Sequence, residues 1–270
     1  MKRHVLVAGL VLLTVALDAQ TAPQTPPSGG AQPAPATMPS LTCAEMAAAL
    51  TAVTRNDARL SDWPNLSRYR EANRIVAAPP SGETRVVFMG DSITDSWVQP
   101  KFGGFFPGKP YVGRGISGQT TPQMLVRFRR DVIDLKPRVV VILGGTNDIA
   151  GNTGPMTNED IQGNLASMSE VAAANKIRVV LSSIMPVSAY HVRAVPQTIQ
   201  RPMERIRAIN DWMKAYAAAN GHVYLDYFSA MVDQTGMLRE DLSEDDLHPT
   251  AKGYAIIAPL AEEAIARAVR

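Results

Sequence analysis

Two short polar motifs, each following a predicted β-strand, contain side chains that could carry out nucleophilic catalysis. The first, Gly90–Ser96, places Ser92 where the chain leaves a strand and enters a helix. The Ser92 hydroxyl could serve as a nucleophile, but Asp91 and Ser92 could equally well cap the helix. The second, Gly144–Asp148, contains Asn147, whose side-chain amide could donate a hydrogen bond to a developing oxyanion. An ordinary turn is the alternative for this motif, because Gly, Asn and Asp are common in turns.

An Asp–His pair near the C-terminus could supply a general base. Asp245 precedes His248 by three residues, a gap that lets the carboxylate fold back and accept a hydrogen bond from one imidazole nitrogen. Pro249 holds His248 in an extended conformation before the last helix, and the other imidazole nitrogen would be free to take a proton. A surface histidine at a helix start is the alternative. Neither His191 nor His222 has a carboxylate three residues before it, so the sequence indicates no competing base.

A glycine-rich segment, Gly113–Thr121, lies between the two polar motifs in the chain. Its glycines could present the backbone N–H of Gly118 to a ligand, or they could form a flexible crossover loop. A phosphate-binding loop is disfavoured, since no lysine follows the glycines of Gly144–Asp148 as it does in a P-loop. The four histidines include no pair four residues apart, so the sequence predicts no metal site and no cofactor.

From residue 81 onward, short β-branched runs alternate with longer amphipathic stretches, a pattern typical of a parallel sheet covered by helices. One helix is predicted to end at Pro137, a second to begin at Thr157 with a capping box to Asp160, and a third to end at Asn220. Ligands of such sheets bind beyond the carboxyl ends of the strands, where the polar motifs fall. The predicted strands are Arg85–Met89, Tyr111–Val112, Arg138–Leu143, Arg178–Ile184 and Val223–Tyr227.

The first forty residues are predicted to precede the folded part of the chain. Residues 1–20 combine a basic start with an apolar run of 13 residues, which is typical of a signal peptide; an uncleaved anchor is the alternative. Residues 21–40 contain six prolines and no charge, which predicts a disordered tether. We therefore expect a secreted or periplasmic protein with no stable membrane span after processing.

Residues 41–80 form a predicted helical extension, and residues 81–270 form the predicted α/β domain. In the extension, apolar residues at helical spacing predict a first helix, and three-residue steps predict a second helical piece or an amphipathic wrap. The first set is Met46, Leu50 and Val53, and the second is Leu60, Trp63, Leu66 and Tyr69.

Composition excludes several classes of function. The 27 basic residues nearly balance the 25 acidic ones, and no run of Lys and Arg is present, so a nucleic-acid partner is not expected. Cys43 is the only cysteine, which rules out an intrachain disulfide. If the polar motifs and the Asp–His pair form one nucleophilic site, the expected partner is a small ester or acylated carbohydrate substrate.

In their order and residue types, the motifs resemble the sequence blocks of the GDSL, or SGNH, hydrolase family. The resemblance covers about residues 84–268 and is strongest to the platelet-activating-factor-acetylhydrolase-like branch. No Gly-x-Ser-x-Gly elbow occurs, so an ordinary α/β-hydrolase site is disfavoured. The matching blocks are Gly90–Ile93, Gly115–Thr120, Gly144–Asp148 and Asp245–Pro249.

This resemblance implies an SGNH hydrolase fold, a flavodoxin-like three-layer sandwich with a five-stranded parallel sheet. It also implies a catalytic triad of Ser92, Asp245 and His248. The implied oxyanion hole consists of the backbone N–H groups of Ser92 and Gly118 and the Asn147 amide. The family often has Asn where this chain has Gly113, and we expect that difference to alter loop rigidity rather than to remove activity.

The function expected from these residues is hydrolysis of short-chain acyl esters, acetyl esters foremost, with carbohydrate esters as one substrate class. Short-chain lipid or aryl esters are the alternative substrates, and a non-catalytic carbohydrate-binding module is the alternative function. The loop 186–202 is expected to border the pocket through Tyr190, His191 and Arg193. Four aromatic side chains could line the pocket or pack in the core: Trp97, Phe102, Phe105 and Phe106.

Overall fold

The computed structural model describes residues 42–270, and a five-stranded parallel sheet forms its centre. The order of the strands is β2-β1-β3-β4-β5, which is the flavodoxin-like order, so the fold class predicted from the sequence is confirmed. Each predicted strand is present, although the bounds differ by up to three residues. The strands are β1 (Val86–Gly90), β2 (Tyr111–Gly115), β3 (Val139–Ile142), β4 (Arg178–Ser182) and β5 (Val223–Leu225).

Helices follow the strands along the chain and cover both faces of the sheet. Short 3₁₀ turns occur at Pro100–Phe102, Ile133–Leu135 and Glu240–Leu242. The α-helices of the described residues are α1 (Cys43–Ser61), α2 (Arg70–Ile75), α3 (Ser92–Trp97), α4 (Thr121–Asp131), α5 (Thr146–Ile149), α6 (Asn158–Ala174), α7 (Gln197–Gln200), α8 (Met203–Ala219), α9 (Phe228–Met231) and α10 (Ala251–Ala268).

Every residue of β1 and β3 is buried, because helices cover the sheet on both sides. Alternate side chains enter two separate cores. Val87 and Ile142 belong to the core that also contains buried residues of α4, α6 and α8. Phe88 and Val141 belong to the core that contains those of α3 and α10. The result is the three-layer arrangement predicted from the sequence.

A local signal explains the start of α6. The predicted capping box opens α6: the Thr157 hydroxyl accepts from the backbone N–H of Asp160, and the Asp160 carboxylate accepts from that of Thr157. The prediction that a helix ends at Pro137 is wrong, because that helix is shorter than expected. Helix α4 ends at Asp131, and a 3₁₀ turn follows it after Val132 leaves the helical conformation with φ −126° and ψ −66°.

In the N-terminal extension the structure excludes the helical one of the two alternatives for the second apolar set. Helix α1 forms, with Met46, Leu50 and Val53 all more than half exposed. The apolar steps from Leu60 to Tyr69 do not form a second helix, since the chain turns between residues 62 and 69 and α2 begins only at Arg70.

The compact unit that contains the sheet spans Ala49–Arg270. The predicted signal peptide (1–20) and tether (21–40) lie outside the described residues. Within residues 42–270, no helix has the length and apolarity that crossing a membrane requires.

Candidate active site

Ser92 is the first residue of helix α3 and lies directly beyond the carboxyl end of β1. Asp91 caps this helix, because its carboxylate accepts from the backbone N–H of Ile93 at 2.9 Å. The cap therefore belongs to Asp91, and the Ser92 hydroxyl remains available for another partner. Gly90 permits the sharp exit from the strand: a Cβ atom there would lie 2.2 Å from the hydroxyl oxygen of Thr94.

That partner is His248, which approaches Ser92 from the loop before helix α10. The Nε2 atom of His248 lies 2.8 Å from the Oγ atom of Ser92, although 156 residues separate the two in the chain. On the other side of the ring, Nδ1 lies 2.6 Å from the Oδ2 atom of Asp245. The structure thus brings together the three residues that the sequence predicted as a triad. Their side chains are part-buried, with exposures of 36% for Asp245 and 34% for His248.

Asp245 is held as a carboxylate by its surroundings. Burial acts to raise its pKa, but hydrogen bonds from the side chain and backbone of His248, its positive charge and a bond from the backbone of Leu247 outweigh burial. The pKa of Asp245 consequently lies well below its ordinary value. The three-residue spacing makes this possible, since the same carboxylate accepts from the His248 backbone N–H at 2.7 Å and from its ring.

Asn147 lies in the short helix α5, beyond the carboxyl end of β3, and is 3% exposed. It therefore lies in a short helix rather than in the ordinary turn that was the alternative interpretation. Its Nδ2 atom donates to the backbone carbonyl of Gln119 at 3.0 Å, and within residues 42–270 the second hydrogen of that amide has no hydrogen-bond partner. Gly145 precedes the helix with φ +117°, a conformation that favours glycine.

Gly118 lies in the loop between β2 and α4 and has φ +78°. Its carbonyl accepts from the Nδ2 atom of Asn152 at 3.0 Å. Gly113 lies inside β2 rather than in a loop, and a Cβ atom there would come within 2.3 Å of a methyl group of Val98. The expectation that Gly113 alters loop rigidity is therefore wrong: this glycine allows strand β2 to pack against Val98.

Arg201 is a site residue that the sequence analysis missed. It is 4% exposed and donates to Thr146 Oγ1 at 3.0 Å and to Asn147 Oδ1 at 3.5 Å. Burial lowers the pKa of Arg201, and the charges of Asp91 and Asp245 partly offset that effect. A lone arginine in an irregular loop has no sequence pattern, so only the fold could reveal it.

The surroundings of Asp91 shift its pKa in the opposite direction to that of Asp245. Complete burial raises the pKa of Asp91 to about 6, and the nearby charge of Asp148 acts in the same direction. The bond from Ile93 and the charges of His248 and Arg201 oppose this rise without cancelling it.

The loop 186–202 borders the Asp245–His248 loop and contains a second Asp–His pair. His191 has no carboxylate three residues before it, but its Nδ1 atom lies 3.0 Å from the Oδ1 atom of Asp246. Local spacing in the sequence gives no sign of this pair, since 55 residues separate its members. Arg193 also contacts the loop by donating to the backbone carbonyl of Asp245 at 2.6 Å.

The four aromatic residues that could have lined the pocket pack in the core instead. Trp97 and Phe106 are 4% and 8% exposed, and both lie against Phe88. Phe102 and Phe105 are partly buried against the same core.

Among residues 42–270, no group of three or more His, Cys, Asp and Glu side chains is arranged to hold a metal ion. The arrangement that is present, a hydroxyl next to an imidazole next to a carboxylate, can activate the hydroxyl for attack on a carbonyl carbon.

Comparison with known proteins places the chain in a family. The profile of the GDSL-like lipase/acylhydrolase family matches residues 88–256. A candidate acylhydrolase of Bacteroides fragilis is 42% identical, with 77% of this chain and 99% of that one covered and a TM-score of 0.71. A GDSL-like lipase of Bacteroides thetaiotaomicron is 43% identical, with 76% and 98% covered and a TM-score of 0.69.

More distant proteins have the same fold. A candidate platelet activating factor protein of Streptococcus pneumoniae is 25% identical, with 80% and 99% covered and a TM-score of 0.66. An acetyl-xylooligosaccharide esterase of Geobacillus stearothermophilus is 21% identical, with 70% and 96% covered and a TM-score of 0.56.

Among curated proteins, an uncharacterised lipoprotein of Bacillus subtilis is 34% identical over 76 residues, which is 27% of this chain and only 31% of that protein. The family profile, by contrast, spans more than half of this chain and includes Ser92, β3 and the Asp245–His248 loop. The chain belongs to the GDSL-like lipase/acylhydrolase family, and it is a carboxylic ester hydrolase.

Proposed function

We propose that the protein hydrolyses short-chain acyl esters, acetyl esters foremost, through an acyl-enzyme formed on Ser92. The observation that carries this proposal is the continuous chain of hydrogen bonds from Asp245 through His248 to Ser92, with distances of 2.6 and 2.8 Å. A non-catalytic carbohydrate-binding module, the competing function, has no need of such a chain, because sugar binding requires no activated hydroxyl.

In the first half of the reaction, the Oγ atom of Ser92 attacks the ester carbonyl carbon while Nε2 of His248 takes the hydroxyl proton. Asp245 holds the tautomer that leaves Nε2 free and stabilises the imidazolium that forms. When the tetrahedral intermediate collapses, the bond to the alcohol oxygen breaks and His248 returns the proton to that oxygen. The alcohol leaves, and the acyl group remains on Ser92.

In the second half, a water molecule takes the place of the alcohol. His248 removes a proton from this water as its oxygen attacks the acyl-enzyme carbonyl. Collapse of the second intermediate breaks the bond to Ser92, and His248 gives the proton back to the serine oxygen. The carboxylic acid is released, so the net reaction consumes one ester and one water.

The negative oxygen of both intermediates is held by three donors in this proposal. These are the backbone N–H groups of Ser92 and Gly118 and the second hydrogen of the Asn147 amide. Arg201 is a positioning residue in this scheme. Its guanidinium bonds to the amide oxygen of Asn147, which favours the amide orientation in which nitrogen rather than oxygen faces the reacting group.

We further propose that residues 1–20 direct export, so that the mature enzyme acts outside the cytoplasm. The basic start and short apolar run support this, as does the relative described as a lipoprotein. A substrate on the cell envelope or outside the cell, including an acetylated carbohydrate, agrees with such a location. An acetylated carbohydrate also agrees with the Geobacillus relative described as acting on acetyl-xylooligosaccharides.

Hydrolysis of p-nitrophenyl acetate, butyrate and octanoate by the purified protein and its Ser92→Ala variant tests the proposal. We expect kcat/KM to be highest for the acetate and undetectable for the variant, whose melting temperature should match that of the wild type. No hydrolysis by the wild type would favour the binding module. A preference for octanoate would assign the enzyme to longer-chain lipid esters.

A further inference from the structure

An open groove of about 720 Å³ is lined in part by Gln119, whose backbone carbonyl accepts from the Asn147 amide, so the groove lies beside the proposed oxyanion hole. Gly118, whose backbone N–H is a proposed oxyanion donor, also lines the groove. An ester whose carbonyl oxygen meets that donor can therefore extend its remaining atoms into the groove. The volume lies within the range of about 300–1,000 Å³ that is usual for small-molecule sites.

Part of the groove wall comes from the turn segment, residues 62–69, which precedes the sheet in the chain. Side chains beyond the sheet edge hold this segment by its backbone: Gln119 Nε2 donates to the Pro64 carbonyl and Gln123 Nε2 to the Trp63 carbonyl, both at 2.7 Å. Arg130 donates to the carbonyl of Leu66 at 3.1 Å. Because these anchors are backbone carbonyls, the wall keeps its place when the side chain of Trp63 is changed.

Within the segment, the turn is stabilised locally. The carboxylate of Asp62 accepts from the backbone N–H groups of Leu66 and Ser67 at 2.6 and 2.8 Å. Asn65 has φ +54°, a left-handed conformation that Asn and Gly adopt more easily than other residues. Trp63 stands on this turn with 39% of its surface exposed, although large aromatic residues are usually more buried than this.

The lining of the groove combines an aromatic ring with hydrogen-bonding side chains, a combination that suits a sugar. Besides Trp63, its lining is mostly neutral hydrogen-bonding side chains, among them Asn65, Gln123, Asn152 and Thr153. Of the described residues that line it, none is basic and only Ile116 adds an aliphatic side chain. An acyl chain would need an apolar lining and a phosphate would need positive charge. A sugar ring offers a face of C–H groups for the indole and hydroxyls for the amides.

We propose that this groove, walled by residues 62–69, binds the sugar portion of an acylated saccharide, with Trp63 stacked on the ring. This inference rests on the proposed esterase function and names its substrate class. Trp63 is thus a specificity residue that acts on substrates with a saccharide leaving group and has no role for a small alkyl ester.

The test compares monoacetylated xylobiose with ethyl acetate, which has no sugar ring to stack on Trp63. Trp63→Ala should raise KM for acetylated xylobiose roughly tenfold, as expected for a lost aromatic contact, and should change kcat/KM for ethyl acetate less than about twofold. Trp63→Phe, which keeps a ring, should recover most of the difference. Ile75→Ala, at an exposed position of α2 outside the groove, is the matched control and should affect neither substrate.

Asn65→Gly provides a second variant, since glycine tolerates the left-handed backbone while removing the amide. We expect it to raise KM for acetylated xylobiose about threefold without effect on ethyl acetate. Equal losses on both substrates, or no loss on either in the Trp63→Ala variant, would overturn the groove proposal. If the wild type hydrolyses neither ester, the proposed function itself is overturned.

Discussion

Two neighbouring carboxylates, Asp245 and Asp246, each pair with a histidine, and the two pairs differ in what lies beyond the imidazole. The ring of His248 continues to Ser92, so the first pair ends on a hydroxyl. The ring of His191 bonds to Asp246, and among residues 42–270 it has no second hydrogen-bond partner. An Asp–His pair therefore becomes a candidate for catalysis through its third member rather than through the pair itself.

The two carboxylates also differ in their surroundings. Asp245 is about one-third exposed at the site, while Asp246 is fully buried with φ +67°. Asp246 accepts from the Ser188 hydroxyl at 2.6 Å and from the backbone N–H of Tyr190 at 3.0 Å as well as from His191. These bonds tie the loop 186–202 to the Asp245–His248 loop. In the proposed mechanism the first pair acts on the reacting atoms, whereas the bonds of Asp246 hold the two loops together.

The largest expected effect separates these two roles. Asp245→Asn should lower kcat by about 10⁴-fold with little loss of stability, because the amide favours the wrong tautomer of His248. Asp246→Asn is the matched control at the adjacent position. It should lower the melting temperature, since a buried acceptor of several bonds is replaced, while kcat of the folded protein falls less than about tenfold. Equal losses of kcat in both variants, at equal stability, would contradict the comparison.

A somewhat smaller effect is expected at Asn147. Replacement by Ala removes the proposed oxyanion donor and should lower kcat by about 10²–10³-fold, or roughly 3–4 kcal/mol, with little change in KM. Asn147→Asp should be at least as damaging, because it places a carboxylate beside the developing negative charge. Steady-state kinetics on p-nitrophenyl acetate give kcat and KM for the two variants, and melting curves give their stability. If the Asn147→Asp variant keeps its kcat, or if activity falls only in step with stability, Asn147 has a structural role and is not an oxyanion donor.

Asp91 extends the comparison to a third carboxylate. Burial raises its pKa to about 6, whereas the pKa of Asp245 is lowered. Because this value exceeds the unfolded value of 3.8, the folded protein binds the proton more tightly than the unfolded chain does. The free energy of unfolding should therefore fall as pH rises from about 4 to about 6, by on the order of 3 kcal/mol.

Asp91→Asn keeps an acceptor for the helix cap and removes the ionisation. Denaturant unfolding of both proteins should show a stability advantage of the variant that is small at pH 4 and full at pH 7. An advantage that stays constant between these pH values would show that Asp91 does not titrate there.

The smallest effect is expected at His191. Removing the ring in His191→Ala leaves the backbone N–H groups of residues 190 and 191 still bonded to Asp246. We therefore expect kcat to change less than about threefold, with a slight loss of stability of about 1 kcal/mol. A loss of kcat approaching that of His248→Ala would give the second pair a direct part in the reaction.

The sheet could be predicted because its signals are local. Both faces of β1 and β3 are covered, which requires continuous apolar runs such as Val86–Met89, and turn residues follow each run. The end of α4 was predicted less well. Leu135 keeps the apolar spacing of the helix and is buried, yet it lies in a 3₁₀ turn after Val132 breaks the helical backbone.

The part of the site that could be predicted consists of residues beside strand or helix ends. Ser92, Asn147 and the Asp245–His248 pair each occur in a short motif. The neighbouring residues of each motif indicate that it lies at the end of a strand or the start of a helix. Arg201 and the His191–Asp246 pair depend on contacts across 50 or more residues within irregular loops. Only the tertiary fold brings these groups together, so periodicity and spacing carry no information about them.

The central claim, that Ser92 and His248 act as nucleophile and base, can be tested most directly by covalent labelling. The purified protein is treated with a fluorophosphonate, which reacts with activated serines, and the modified peptide is identified by mass spectrometry. We predict a single adduct on Ser92, formed at least about 10³-fold more slowly in the His248→Ala variant and absent from Ser92→Ala. An adduct on another serine, or labelling of Ser92 at an unchanged rate without His248, would contradict the account.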